Sequence, residues 1–255
     1  MTGHQNFVLV PDDPPPPPPP VPAQKPGLLS RLLTIAKAAL PVPLSHAQPP
    51  AVTGTRPRLI FAVDATASRE PAWAAARQVT DALVKALPGE LDVALAIHGG
   101  GRVHTFTNFT NNPATLRDQA AGIVCQAGYT KLLPILATSL QQPMVRVVIY
   151  IGDVFEESAS EGRRLADSLK AQNTKLIVLH DTAEPGARRD AEVFWDLAKR
   201  TGGCVIPFDA NAPHKLRDLL SAVAVYAVGG EKRLRAESKN LPGAVALLEH
   251  LGRDR

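Results

Sequence analysis

Leu59-Ile60-Phe61-Ala62-Val63-Asp64-Ala65-Thr66-Ala67-Ser68 is the stretch whose reading decides the fold. Apolar or small residues from Leu59 to Val63 run straight into Asp64, and hydroxyls follow at Thr66 and Ser68. A short continuous apolar run predicts a strand buried on both faces, as in a parallel sheet. A strand that ends in Asp-x-Thr-x-Ser carries three oxygen donors to the carboxyl edge of that sheet, where open α/β folds bind ligands. Carboxylate and hydroxyl oxygens without nitrogen or sulfur suit a hard cation such as magnesium, calcium or manganese. The same residues also read as the start of a helix, because Asp, Ser and Thr are all favoured as caps. This stretch alone leaves both readings open.

The surrounding composition locates the folded part. Of the 24 prolines in 255 residues, 15 precede Arg58, so residues 1–57 cannot be regular helix or sheet throughout. Within that extension, seven consecutive prolines, Pro14 to Pro20, form a polyproline II rod in this reading. Such a rod is about 22 Å long and is read as a stiff spacer. Residues 28–40 are a short amphipathic helix candidate, with Leu28, Leu29, Leu32, Leu33, Ile35, Ala36 and Leu40 crowding one side. The net charge of +4 hints at nucleic acid until it is localised. Residues 58–228 hold 18 Lys+Arg and 18 Asp+Glu, so the core is neutral and the excess lies in the flanks. A neutral core without an aromatic-interleaved basic stripe argues against a nucleic-acid surface.

Cys125 and Cys204 lie far apart and outside any Cys/His cluster, which predicts two reduced thiols rather than a disulfide or a zinc site. The N-terminus shows no basic segment followed by an apolar one, and no apolar run approaches the ~18 residues of a membrane span. A cytoplasmic protein is therefore expected.

From Arg58 onward, apolar runs alternate with helical patterns. Strands are expected at 59–63, 91–97, 102–107, 145–151, 174–180 and 204–207. The third of these alternates polar and apolar residues, like an exposed antiparallel edge. Helices are expected at 68–87, 113–124 (capped by Asn111 or Asn112), from about 131 to 140, and at 158–172, 187–201 and 213–228. Strands joined by helices of this length give a mostly parallel sheet covered on both faces. Asp64 and Asp153, each at the end of a buried strand, then open on the same edge. Residues 229–255 are read as a C-terminal appendage with a weak helix at 244–251.

Three separated motifs, taken in order, resemble those of a von Willebrand factor A (VWA) domain with a metal-ion-dependent adhesion site. Asp64-Ala-Thr-Ala-Ser68 resembles the first, Asp-x-Ser/Thr-x-Ser after the first strand. Gly128-Tyr-Thr-Lys-Leu132 resembles the second, a loop that supplies a threonine, and Ile151-Gly-Asp153 resembles the third. The likeness spans residues 58–228, and Gly-Asp-x-x-Glu-Glu is similar to a bacterial cytosolic branch of the family.

The resemblance implies a Rossmann-like three-layer α/β sandwich with one antiparallel edge strand. It implies Thr66, Ser68 and Thr130 as direct ligands of magnesium or manganese, with Asp64 and Asp153 holding water ligands. It also implies a protein partner that offers an Asp or Glu to the metal. One departure is that Asp153 is followed by Val154 rather than Gly, with Glu156 and Glu157 close behind. Those two glutamates are read as first-turn residues complementing a helix dipole, not as ligands.

An enzyme reading starts from the same residues. An aspartate after a buried strand beside magnesium resembles a haloacid-dehalogenase-type phosphohydrolase. That chemistry needs a second aspartate two residues on, where this chain has Thr66. No phosphate loop and no G-x-S-x-G elbow occurs. His98, His104 and His180 fall at strand ends or on the edge strand, as surface or locally hydrogen-bonded residues, and Lys131 is read as solvated. The sequence therefore favours a magnesium-dependent interaction module over a catalyst.

Overall fold

The computed structural model describes residues 56–64, 70–99, 102–123, 131–181, 187–208 and 211–253. Residues 1–55 of the Pro-rich extension 1–57, with the helix expected at 28–40, and Cys125 lie outside them. At the centre is β1 (Arg58–Asp64), whose Leu59, Ile60, Phe61 and Ala62 are fully buried. Both faces of this strand need cover, and its alternating side chains supply two separate cores. Leu59, Phe61 and Val63 enter one apolar cluster, while Ile60 and Ala62 enter another.

Six strands form one sheet in the order β3-β2-β1-β4-β5-β6. The other five are β2 (Asp92–Gly99), β3 (Arg102–Phe106), β4 (Val145–Gly152), β5 (Lys175–Asp181) and β6 (Cys204–Phe208). Among the described strands only β3, at one edge, runs antiparallel to its neighbour; the other strand pairings are parallel. On one face lie α1 (Glu70–Arg77), α2 (Ala82–Lys85), α3 (Pro113–Ala121), α7 (Pro213–Glu237) and α8 (Pro242–Arg253), which share the first cluster. On the other lie α4 (Leu133–Leu140), α5 (Ala159–Ala171) and α6 (Ala187–Thr201), which share the second. The result is the mostly parallel three-layer α/β sandwich that the strand and helix pattern predicts.

Three elements differ from the sequence reading. The helix expected across 68–87 is two helices, α1 and α2, separated by a stretch of tighter turns. There Val79, Ala82 and Leu83 each donate to the carbonyl three residues back, and the Thr80 hydroxyl donates to Ala76 O at 2.8 Å. β-Branched Val79 and Thr80 favour this interruption, yet Trp73, Val79, Leu83, Val84 and Leu87 all face inward as expected. Next, α3 stops at Ala121 rather than Val124, because the chain leaves the helix at Gly122. Its cap is Asn112, whose side chain accepts from Ala114 N and Thr115 N.

The third difference is at the C-terminus. Helix α7 does not end at Val228 but turns at Gly230, whose φ of 64° lets the axis redirect where a side chain would be strained. The chain continues through Leu234 into α8, and Leu234, Ala244, Leu247 and Leu251 join the β1 cluster. Within the segment 229–255, read above as an appendage, Leu234, Ala244, Leu247 and Leu251 pack into the core. Arg233 ties this segment down by donating to Glu90 at 2.6 Å and to Glu237 at 2.8 Å.

Candidate functional site

The sheet order places β2 on one side of β1 and β4 on the other, so the chain leaves in opposite directions at the β1/β4 boundary. In open α/β sheets such a switch point leaves a crevice beyond the carboxyl ends of the strands. Val63 pairs with Ile151, and Asp64 pairs with His98 of β2. Asp64 therefore closes β1 beside the Gly152-Asp153 end of β4, with strand axes ~4.8 Å apart. Of the five residues singled out in the sequence, these two aspartates meet at one edge. Thr66, Ser68 and Thr130 lie outside the described residues.

Asp153 is buried, and its Oδ1 accepts the Val154 N–H at 2.9 Å. Its carbonyl oxygen lies 3.1 Å from His180 Nε2. The loop beyond is pinned twice more: Phe155 N donates to Asp190 of α6 at 3.0 Å, and Glu157 reaches across to α4. Glu157 Oε2 accepts from Leu132 N at 2.5 Å and from Leu133 N at 2.9 Å, so it caps α4. Burial pushes the Glu157 carboxyl above its ordinary pKa, against the opposing pull of those two N–H groups and of Lys131. This corrects the reading of Glu157 as part of the first turn of the following helix. Ser158 opens α5 instead, accepting from Glu161 N at 3.3 Å. Glu156 is exposed.

Of the two situations expected for them, His98 and His180 show the second: both are buried and locally hydrogen-bonded. His98 Nδ1 accepts the backbone N–H of Lys131 at 3.2 Å, which requires that nitrogen to be unprotonated. Its ring stacks on Tyr150 with centroids 5.8 Å apart, and His180 packs on Phe194 at 5.2 Å. Tyr150 folds back over Gly152, where a Cβ would overlap its ring. The glycine of the Ile-Gly-Asp motif is thus needed to let an aromatic floor form beneath the strand ends. Tyr150 did not stand out in the sequence, where it reads as one more apolar residue of β4; Glu157 did, but not its role, because its partners are 24 and 25 positions away.

The oxygen donors that the sequence reading assigns to this edge are of the kind a hard divalent cation takes; among the described residues Asp153 brings a carboxylate to the end of β4, while Glu157 is committed to α4. Among the described residues no group of three His, Cys, Asp or Glu is placed to hold a metal. No helix of the described residues is long and apolar enough to cross a membrane.

No family model and no curated protein matches the chain. Solved structures do. A von Willebrand factor type A protein from Catenulispora acidiphila superposes with a TM-score of 0.55 at 16% identity, over 69% of this chain and 44% of that one. Proximal thread matrix protein 1 of the mussel byssus, solved with zinc in its MIDAS motif, gives 0.53 at 12% identity, over 66% and 46%. The human COPII-coat protein Sec24c gives 0.51 at 12% identity, over 68% and 32%. This chain spans less than half the length of each of these solved chains. The sheet order, the two helical layers and these superpositions together give the chain the fold of a von Willebrand factor A domain.

Proposed function

We propose that this chain is a metal-dependent protein-interaction module of the cytoplasm, whose VWA unit, residues 58–228, recognises an acidic side chain of a partner. The observation that supports the reading is that Asp64 and Asp153 stand at neighbouring strand ends of the switch point, where Val63 pairs with Ile151. Asp64, Thr66, Ser68, Thr130 and Asp153 would hold a magnesium or manganese ion. The ion supplies an electrophilic position open to a carboxylate, because few of its protein donors are charged. The chain's own residues hold that position in place: the loop after β4 is fixed by Asp190 and Glu157, and the strand ends rest on Tyr150 and His98.

Catalysis finds little support in the same residues. A general acid or base must reach the reacting atom, whereas His98 and His180 are buried and bonded to backbone groups. Calorimetry tests the reading. The parent should bind one manganese ion, and the Asp64→Ala/Ser68→Ala double variant should bind none while keeping its fold. Capture of a partner should disappear with chelator and with Thr130→Ala. Magnesium-dependent hydrolysis of a phosphate ester that is lost in Asp64→Asn would overturn the module in favour of a phosphohydrolase.

A further inference from the structure

The amino-terminal ends of β4 and β5 lie at the sheet edge opposite Asp64 and Asp153, and a cleft of about 260 Å³ opens there against α7. Arg146, Val147, Asn173, Lys175, Tyr226 and Gly230 line it. Strand register brings two cations into this recess. Lys175 pairs with Val147 across the β4/β5 boundary. Arg146 is the extra residue of a β-bulge: Arg58 faces Val145 and Leu59 faces Val147, which leaves Arg146 opposite no residue of β1. A bulge interrupts the alternation of a strand and re-aims a side chain, so the successive residues Arg146 and Val147 line the same cleft.

Both cations are half-buried. Lys175 Nζ donates to Thr201 O at 2.9 Å, which fixes the ammonium and leaves its other N–H donors for a ligand. Burial, and after it the like charge of Lys170, holds that ammonium below its ordinary 10.5. No carboxylate is among the described residues that line the cleft, and Arg146 forms no ion pair among the described residues. Elsewhere Arg163, Arg200, Arg233 and Arg235 each meet an Asp or Glu. Two cations left together in a recess cost stability unless an anion joins them.

We infer that this cleft binds a phosphate group, held between Arg146 and Lys175. The guanidinium presents a planar fork that matches phosphate oxygens, the ammonium adds a compact charge, and the Asn173 amide offers a further donor. Two positive charges match a dianion. The cleft stands apart from the proposed metal site, at the other end of the strands, so neither depends on the other.

Thermal unfolding of the full chain in sodium phosphate, against sodium chloride of matched ionic strength, tests the site. The melting temperature should rise with phosphate and not with chloride, because a ligand of the folded state alone stabilises it. In calorimetry, Arg146→Gln and Lys175→Gln should each weaken phosphate binding about tenfold or more. Arg164→Gln, which removes an exposed cation of α5, should leave it unchanged. Should Lys175→Gln unfold for want of its bond to Thr201, Arg146→Gln carries the test. O-phosphoserine distinguishes the source of the phosphate: tighter binding than inorganic phosphate assigns the cleft to a phosphate monoester, and weaker binding assigns it to the free ion. A rise matched by chloride, or an Arg146→Gln chain that binds phosphate as the parent does, overturns the inference.

Discussion

Asp81 sits where the first long helix breaks, with its side chain beneath two cations. Lys85 Nζ lies 2.6 Å and Arg117 Nη1 2.8 Å from its Oδ2, which ties α2 to α3. Burial pushes this carboxyl up, but the two hydrogen-bonded cations outweigh that and hold it below its ordinary 3.8. A carboxyl depressed in the folded state contributes stability that is complete above the unfolded value and is lost as pH falls through the folded one. Asp81→Asn should therefore cost about 1.5–3 kcal/mol at neutral pH in urea unfolding. The gap between parent and variant should close as the pH falls below about 3.8. A gap that stays constant down to pH 2 would mean the ion pairs add nothing. Only one of the two cations is legible in the sequence: Lys85 is the helical neighbour four positions on, whereas Arg117 is 36 positions away.

At the scale of elements, α8 (Pro242–Arg253) carries the clearest test, because its packing decides whether the C-terminus belongs to the core. Leu247 is fully buried, whereas Val245 on the same helix is 52% exposed. Leu247→Ala should destabilise the fold by about 2–5 kcal/mol, as for other buried leucines. Val245→Ala should stay within about 0.5 kcal/mol, measured by the same denaturant titration. Silence at Leu247 would show that α8 does not support the sheet. The strands were legible in sequence because β1, β4 and β5 are buried on both faces and read as unbroken apolar runs. Helix ends were less legible. Gly229-Gly230 looks like a stop, yet a glycine with positive φ can turn a helix as readily as end it. The candidate site was legible only as strand-end chemistry. Asp64 and Asp153 could be placed by pattern, while the Glu157 cap and the Tyr150 floor depend on contacts that no local spacing encodes.

For the whole molecule, residues 51–255 form one unit, whose apolar residues fill both faces of a single sheet. Proline density denies the extension a continuous hydrogen-bonded ladder of its own. A chain beginning at Thr55 should therefore melt cooperatively within a few degrees of the full-length protein in calorimetry, and a large drop would show that residues 28–40 add to the core. The order of the strands also has a consequence for how the chain is made. The centre of the sheet is laid down first, but one of its two neighbours arrives late: Arg58 donates to the carbonyl of Pro143, 85 positions downstream. At ~5–20 residues per second, β1 leaves the ribosome roughly 4–17 s before β4 can close that side. Through that interval an apolar strand offers an unmatched hydrogen-bonding edge, the kind that recruits other chains. The time of greatest risk for this protein is thus its synthesis, before the sheet is shut.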